Sequence, residues 1–171
     1  ATPRQAAEAA DVVFVCVGND DDVRSVTLGE DGSLAGMSSG AFLVDHTTAS
    51  QQLAVELASA CAAAGVAFLD APVSGGQAGA ENAALTIMLG GSEENYRDVQ
   101  PLLDVYAKKT ALMGAVGAGQ LTKMVNQICI AGVLQGLAEG VHFAQMAGLN
   151  VDAVVDVISQ GAAQSWQMNN R

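Results

Sequence analysis

The residues best placed to do chemistry lie in GAGQLTKMVNQ, residues 117–127. Lys123 is the only Lys or Arg between Lys109 and Arg171, and Gly, Ala, Leu, Met, Val and Ile dominate its surroundings. On a helix, Gln120, Lys123, Asn126 and Gln127 fall three or four apart and share one face. They form a narrow polar stripe on an apolar rod. An ammonium in such surroundings is costly to desolvate unless something pairs with it, and an anionic ligand is a natural partner. A lysine whose stem covers core while its head stays wet fits the same spacing. Spacing alone leaves both readings open.

A second loaded stretch is DAPVSGG, residues 70–76. Consecutive glycines let a backbone approach a ligand with no Cβ in the way. Successive N–H groups in such a loop make a concave donor site for a carboxylate or phosphate, and Ser74 adds a hydroxyl. The same residues also make an ordinary turn after a strand. No CxxC or Cys–His metal spacing occurs, so no metal site is expected. Asp45 and Asp70 read as acceptors for backbone donors at strand ends, with no carboxylate pair set for acid–base work. His46 reads as a strand-end histidine, His142 as a packing or surface residue, and Trp166 as core or interface packing.

The elements that must carry these residues follow from apolar patterning. DVVFVCV (11–17) is a continuous β-branched run, the pattern of a strand buried on both faces. In GNDDD, Asn19 or one of Asp20 to Asp22 can cap a short helix, where acids suit the positive end. AFLVDHTT gives a strand ending at Asp45, Ser50 caps a helix running to about Gly65, and VAFLDAP is a third strand ended by Pro72. Strand–helix–strand–helix–strand with short connections is a parallel α/β unit with right-handed crossovers. Its ligands gather beyond the carboxyl ends of the strands, here Gly18 and Asn19, His46 to Thr48, and Asp70 to Gly76. A Gly/Ala loop, the strand ALTIMLGG, a helix begun at Ser92 and a short strand near KKTALMG complete this part. From about Val116 to Gly148 the pattern is helical, and a further helix (150–159) starts at Asn150 or Asp152. Gly132, Gly136, Gly140, Ala144 and Gly148 recur every fourth residue. Each internal glycine costs about 1 kcal/mol relative to Ala, so this smooth face reads as a groove for a neighbouring backbone. The fold class is therefore α/β: a partial, mostly parallel Rossmann-like sheet over residues 1–115, then a long helix and the start of an all-α domain over 116–171.

Composition limits the function classes. The 171 residues suffice for one domain, or one and a part, with a sizeable core. A formal net charge of −11 argues against nucleic acid and anionic membrane surfaces, whose phosphates need clustered cations. Cys16, Cys61 and Cys129 lie far apart in apolar runs and read as buried thiols in a reducing compartment. The first residues carry no secretory pattern, and no run is expected to reach the roughly 18 apolar residues of a spanning helix. A soluble cytoplasmic protein is the expectation.

In this order and spacing, DAPVSGG, LTIMLGG and GAGQLTKMVNQ resemble the β-hydroxyacid dehydrogenase family, which includes 3-hydroxyisobutyrate dehydrogenases and tartronate semialdehyde reductases, relatives of 6-phosphogluconate dehydrogenase. ADVVFVCVGNDDDVR and FLVDHTT resemble the latter half of its Rossmann domain. The resemblance implies NAD- or NADP-linked interconversion of a small β-hydroxy acid and its semialdehyde. By it, Ser74, Gly75 and Gly76 hold the substrate carboxylate and Lys123 is the general acid/base. Asn126 orients the substrate, with Gln127 beside it where the family commonly has a second Asn. Val17, Gly18 and Asn19 pass under the cofactor, and Thr48 lies near the nicotinamide ribose. The sequence departs from the pattern in having no GxGxxG and no acid or arginine to follow it. The expectation is an incomplete cofactor site, a chain inactive alone, and a homodimer through the helical region. The alternative is a non-catalytic, oligomerising remnant of the fold that binds at most a small carboxylate.

Overall fold

The structure is a computed structural model and describes residues 1–170. A short helix α1 (Pro3–Ala7) is capped by Thr2, whose hydroxyl accepts from the Gln5 N–H while the Gln5 side chain answers back. Strands β1 (Val12–Val15), β2 (Phe42–Asp45) and β3 (Ala67–Asp70) pair in parallel, in that order. Helices α2 (Asp20–Leu28) and α3 (Gln51–Ala63) connect them, capped by Asn19 and Ser50. The sheet continues through β4 (Val73–Ser74), α4 (Gly76–Glu81), β5 (Leu85–Gly90), α5 (Glu93–Leu103) and β6 (Ala107–Gly114). β5 runs antiparallel to β3 and β4, and β6 lies parallel to β5 on its far side. The result is a six-stranded, mostly parallel sheet with the α/β architecture expected from the apolar runs.

Alternation along the strands divides the core into two layers. Val15, Leu43 and Phe68 face α2 and α3, where Val23, Leu53, Leu57 and Cys61 close against them. Val44 and Leu69 face the other way, onto Val99 and Leu103 of α5. Burial of the chain ends at β1. Phe14 is 42% exposed and Val17 36%, because β1 is the outermost strand and pairs on one side only. The expectation of a strand buried on both faces is corrected there. An apolar trough of about 530 Å³ runs along this edge, lined by Ala6, Val12, Phe14, Val17 and Ser33 among others.

Two further corrections concern short elements. Residues 76–81, expected as a Gly/Ala loop, form α4, and α1 stands where no helix was expected. Of the three cysteines, Cys61 is buried, whereas Cys16 on the open edge and Cys129 on the long helix are exposed. Burial pushes the Cys61 thiol up to about 12.

The long helix α6 (Ala118–Met146) runs from one compact unit into the next: the first is Ala1–Met124, the second begins at Val125. By length and composition α6 is apolar enough to cross a membrane, which corrects the expectation that no segment reaches that limit. The second unit contains the rest of α6, α7 (Val151–Ile158) capped by Asn150, and α8 (Trp166–Asn170). Gly132, Gly136, Gly140 and Ala144 line a groove of about 510 Å³ within this unit, with Val154 and Ile158 of α7 opposite. A Cβ at Gly132, Gly136 or Gly140 would meet nothing within 4 Å. The smooth face is thus open at these three glycines, whereas Ala144 on the same face is buried.

Candidate active site

β3 leads straight into the DAPVSGG loop. Val73 and Ser74 pair with Ile87 and Thr86, and the chain then turns through two successive left-handed residues, Gly75 (φ 137°) and Gly76 (φ 62°). Only glycine takes such a pair without strain. Gly76 also opens α4, whose first turn has no side-chain cap, so its N–H groups remain available. A Cβ on Gly76 would meet nothing within 4 Å, which leaves the turn open to a ligand.

The carboxylate that ends β3 reaches back to the long helix. Asp70 is fully buried. One of its oxygens accepts the Gly117 N–H at 2.7 Å and the other the Gln120 N–H at 2.9 Å. A second tie comes from Gln120 itself, 1% exposed: its Oε1 accepts the Ala49 N–H at 3.0 Å and its Nε2 donates to the Thr47 carbonyl at 2.7 Å. Gln120 shares the polar stripe with Lys123, but its side chain is spent on the backbone after β2 and does not face a ligand. Lys123 lies one turn further along. It is 8% exposed, and the ion pairs among the described residues are Arg24 with Asp21 and Glu56, and Arg97 with Glu93. Burial lowers the pKa of its ammonium, because the charged form loses hydration. Asn126 and Gln127 belong to the second unit, where the Asn126 Nδ2 donates to the Gln127 Oε1 at 3.0 Å.

At the carboxyl ends of β1 and β2, Val17, Gly18, Asn19 and Thr48 are all exposed. The Val17 N–H donates to the Thr47 hydroxyl at 3.1 Å, and the Thr47 N–H to Asp45 Oδ1 at 2.9 Å. Burial drives the Asp45 carboxyl up to about 6, with Asp70 and Asp20 adding to the effect. The Asn19 side chain is occupied: its oxygen accepts the Asp21 and Asp22 N–H groups and its nitrogen donates to Asp22. What it offers a ligand is backbone. Asp20 accepts from both the N–H and hydroxyl of Ser50, which lowers its pKa and joins the start of α2 to that of α3. His46 is satisfied within the chain. Its Nδ1–H donates to the Ala71 carbonyl at 2.6 Å, its Nε2 accepts from the Tyr106 hydroxyl at 2.7 Å, and its ring stacks on Phe14. The described residues contain no cluster of His, Cys, Asp and Glu that could hold a metal ion.

The surfaces at β1 and β2 suit one end of a dinucleotide. They are open, built from backbone and small side chains, and fixed from behind by Thr47. Residues 1–117 match the family described as the NAD binding domain of 6-phosphogluconate dehydrogenase, and residues 117–171 that described as NAD-binding of NADP-dependent 3-hydroxyisobutyrate dehydrogenase. The chain belongs to the β-hydroxyacid dehydrogenase family. An uncharacterized oxidoreductase of Shewanella frigidimarina is 62% identical over 170 residues, covering 99% of this chain and 58% of the relative. A probable 3-hydroxyisobutyrate dehydrogenase-like protein of Arabidopsis thaliana, described as mitochondrial, is 44% identical over 165 residues, covering 96% of this chain and 49% of the relative. The structure of 3-hydroxyisobutyrate dehydrogenase from Mycobacterium tuberculosis with L-serine superposes with a TM-score of 0.86 at 33% identity, covering 98% of this chain and 56% of that one. The chain thus spans roughly half to three-fifths of the length of these relatives, and the family is one of NAD(P)-linked oxidoreductases.

What the sequence did not point to is which groups Thr47, Gln120 and Asp70 meet: Thr47 was marked only as part of a strand end and Asp70 only as an acceptor for backbone donors. Gln120 carried a signal, since its place on the polar stripe marked it for a partner. The identity of that partner, a loop 71 residues away, left no trace in local pattern.

Proposed function

We propose that this chain carries the substrate and proton-transfer part of an NAD(P)-dependent dehydrogenase that interconverts a small β-hydroxy acid and its semialdehyde. One observation carries the reading: a withdrawn lysine, outside every ion pair among the described residues, stands on a helix whose first turn is gripped by Asp70, just before the loop that holds the glycine turn. In this reading Ser74, Gly75 and Gly76 hold the substrate carboxylate through the hydroxyl and the uncapped N–H groups of α4. Lys123 takes the substrate hydroxyl proton in oxidation and returns it in reduction. Burial suits it to that task, because a destabilised ammonium releases its proton more readily. Asn126, three residues on, orients the substrate, and Gln127 adds a second polar contact. L-serine, named with the mycobacterial structure, is itself a small β-hydroxy acid, which supports this substrate class.

Val17, Gly18, Asn19 and Thr48 would hold the nicotinamide-ribose end of the cofactor, with Thr47 fixing the Val17 backbone from behind. A bound nicotinamide supplies the hydride acceptor or donor. The pyrophosphate turn has no counterpart in the sequence. We place it on a further strand that pairs with the free edge of β1, which makes residues 1–115 a partial dinucleotide-binding domain and 116–171 part of a helical one. Exposed Phe143 (72%), Met146 (75%) and Val157 (70%), with the open glycine groove, support a homodimer through the helices. The free cysteines support a cytoplasmic setting.

In the complete enzyme, Lys123→Ala is expected to cut turnover by about 10²- to 10⁴-fold with the circular dichroism spectrum unchanged; near-normal turnover would remove Lys123 from the chemistry. Titration of NADH or NADPH into the 171-residue chain is expected to show weak or undetectable binding. Micromolar affinity would mean that the residues present suffice. A complete protein that binds small carboxylates but never turns them over with either cofactor would favour the non-catalytic alternative.

A further inference from the structure

We propose that Asp70 is the positioning residue for Lys123: by gripping the first turn of α6 it sets the ammonium at a fixed place relative to the Ser74–Gly76 turn, which begins four residues further along the chain. The inference rests on the reading of Lys123 as the proton-transfer group. Three observations carry it. Both Asp70 oxygens are taken by N–H groups of the helix start, from Gly117 and Gln120, and the Gly119 N–H contributes a further contact. A carboxylate that accepts at the positive end of a helix is a strong tie, and these N–H groups work against the burial that pushes its pKa up. Second, two glycines make room for this carboxylate. A Cβ at Gly90 would lie 2.3 Å from Asp70 Oδ1, and one at Gly119 would lie 2.8 Å from Oδ2 and 2.4 Å from the Met88 carbonyl. Neither glycine has a positive φ, so conformation does not require them; the space does. Third, the grip is coupled to rotation. The Gln120 side chain pins the same turn to Thr47 and Ala49, so the helix is held at two points around its axis just before Lys123.

Burial is what lowers the pKa of the Lys123 ammonium, and Asp70 forms no ion pair with it among the described residues. Its effect passes through the backbone of α6. An ordinary capping carboxylate would only add global stability, and that difference is measurable.

The chain has three lysines, Lys108, Lys109 and Lys123, so acylation by acetic anhydride can be followed at each by mass spectrometry. The fully buried Cys61 thiol reports global opening through its alkylation rate. In Asp70→Asn, Lys123 acylation relative to Lys109 is expected to rise about tenfold or more while Cys61 alkylation stays at the wild-type rate. No change at Lys123, or parallel rises at Lys123 and Cys61, would overturn the proposal and leave Asp70 a stability cap. Should Asp70→Asn fail to fold, amide exchange in the wild-type chain carries the test. Gly117 and Gln120 are expected to exchange at least about a hundredfold more slowly than an unstructured amide, although first-turn amides have no intrahelical acceptor; unprotected exchange refutes the grip. Neither readout depends on turnover. An active Lys123→Ala enzyme would sink the functional reading and leave these results standing.

Discussion

Asp45→Asn isolates the cost of building the carboxyl end of β2. Asp45 is 2% exposed, accepts the Thr47 N–H at 2.9 Å and belongs to no ion pair among the described residues. Its carboxyl is driven from 3.8 up to about 6, chiefly by burial. Below pH 3.8 the carboxyl is protonated in folded and unfolded chains alike and costs nothing. As pH rises toward 6, the unfolded chain releases this proton and the folded chain keeps it, so stability falls; above 6 the loss is complete. A gap of about two pH units corresponds to about 3 kcal/mol. Asparagine keeps an acceptor for Thr47 and cannot ionise. At pH 7 the variant is expected to gain up to about 3 kcal/mol, or about 6–12 °C in Tm for a chain of this size. Below pH 4 the gain disappears. Thermal melts of both proteins from pH 3.5 to 7.5 give the difference directly, and other carboxylates cancel in it. A difference that does not change with pH, or one that shrinks as pH rises, would refute the reasoning.

Three other outcomes follow from the same geometry. Gln120→Ala strands the Ala49 N–H and the Thr47 carbonyl in the interior and is expected to cost about 2–6 kcal/mol in chemical denaturation, each unsatisfied group contributing about 1–3 kcal/mol; a loss under 1 kcal/mol would mean water replaces the side chain at no cost. His46, whose pKa burial lowers, is expected to be neutral at pH 7 and to titrate below 6.5 by NMR. Stability held by the neutral ring is then lost as pH falls through 6.5 toward the folded value, and titration above 6.5 would contradict the burial of the ring, against which the Ala71 hydrogen bond works only in part. Light scattering of the chain is expected to report a dimer, and a clean monomer at micromolar concentration would remove the helical interface.

Apolar runs located β2, β3 and β5, because a strand buried on both faces has no polar position to blur the pattern, and Ser50 marked the start of α3 between the first two. They misjudged β1, where burial depends on what lies beyond the strand and not on its own residues. Two exposed thiols, Cys16 and Cys129, were misread for the same reason. α4 was hidden by its glycines, whose helix cost is tolerated over six residues because Gly79 packs against Leu85, which a larger side chain would crowd. The candidate site was legible where local chemistry is unusual: a solitary lysine, a Pro-x-Ser-Gly-Gly turn. The groups that hold them together were not. Asp70 meets its partners 47 and 50 residues downstream, and Thr47 meets Val17 30 residues upstream, distances over which sequence periodicity says nothing.

The account stands most directly on steady-state turnover of small β-hydroxy acids by the complete enzyme, with NAD⁺ or NADP⁺, compared with its Lys123→Ala variant. It predicts that kcat falls by about 10²- to 10⁴-fold while the melting temperature holds within a few degrees. A folded variant that retains most of the wild-type kcat would contradict it.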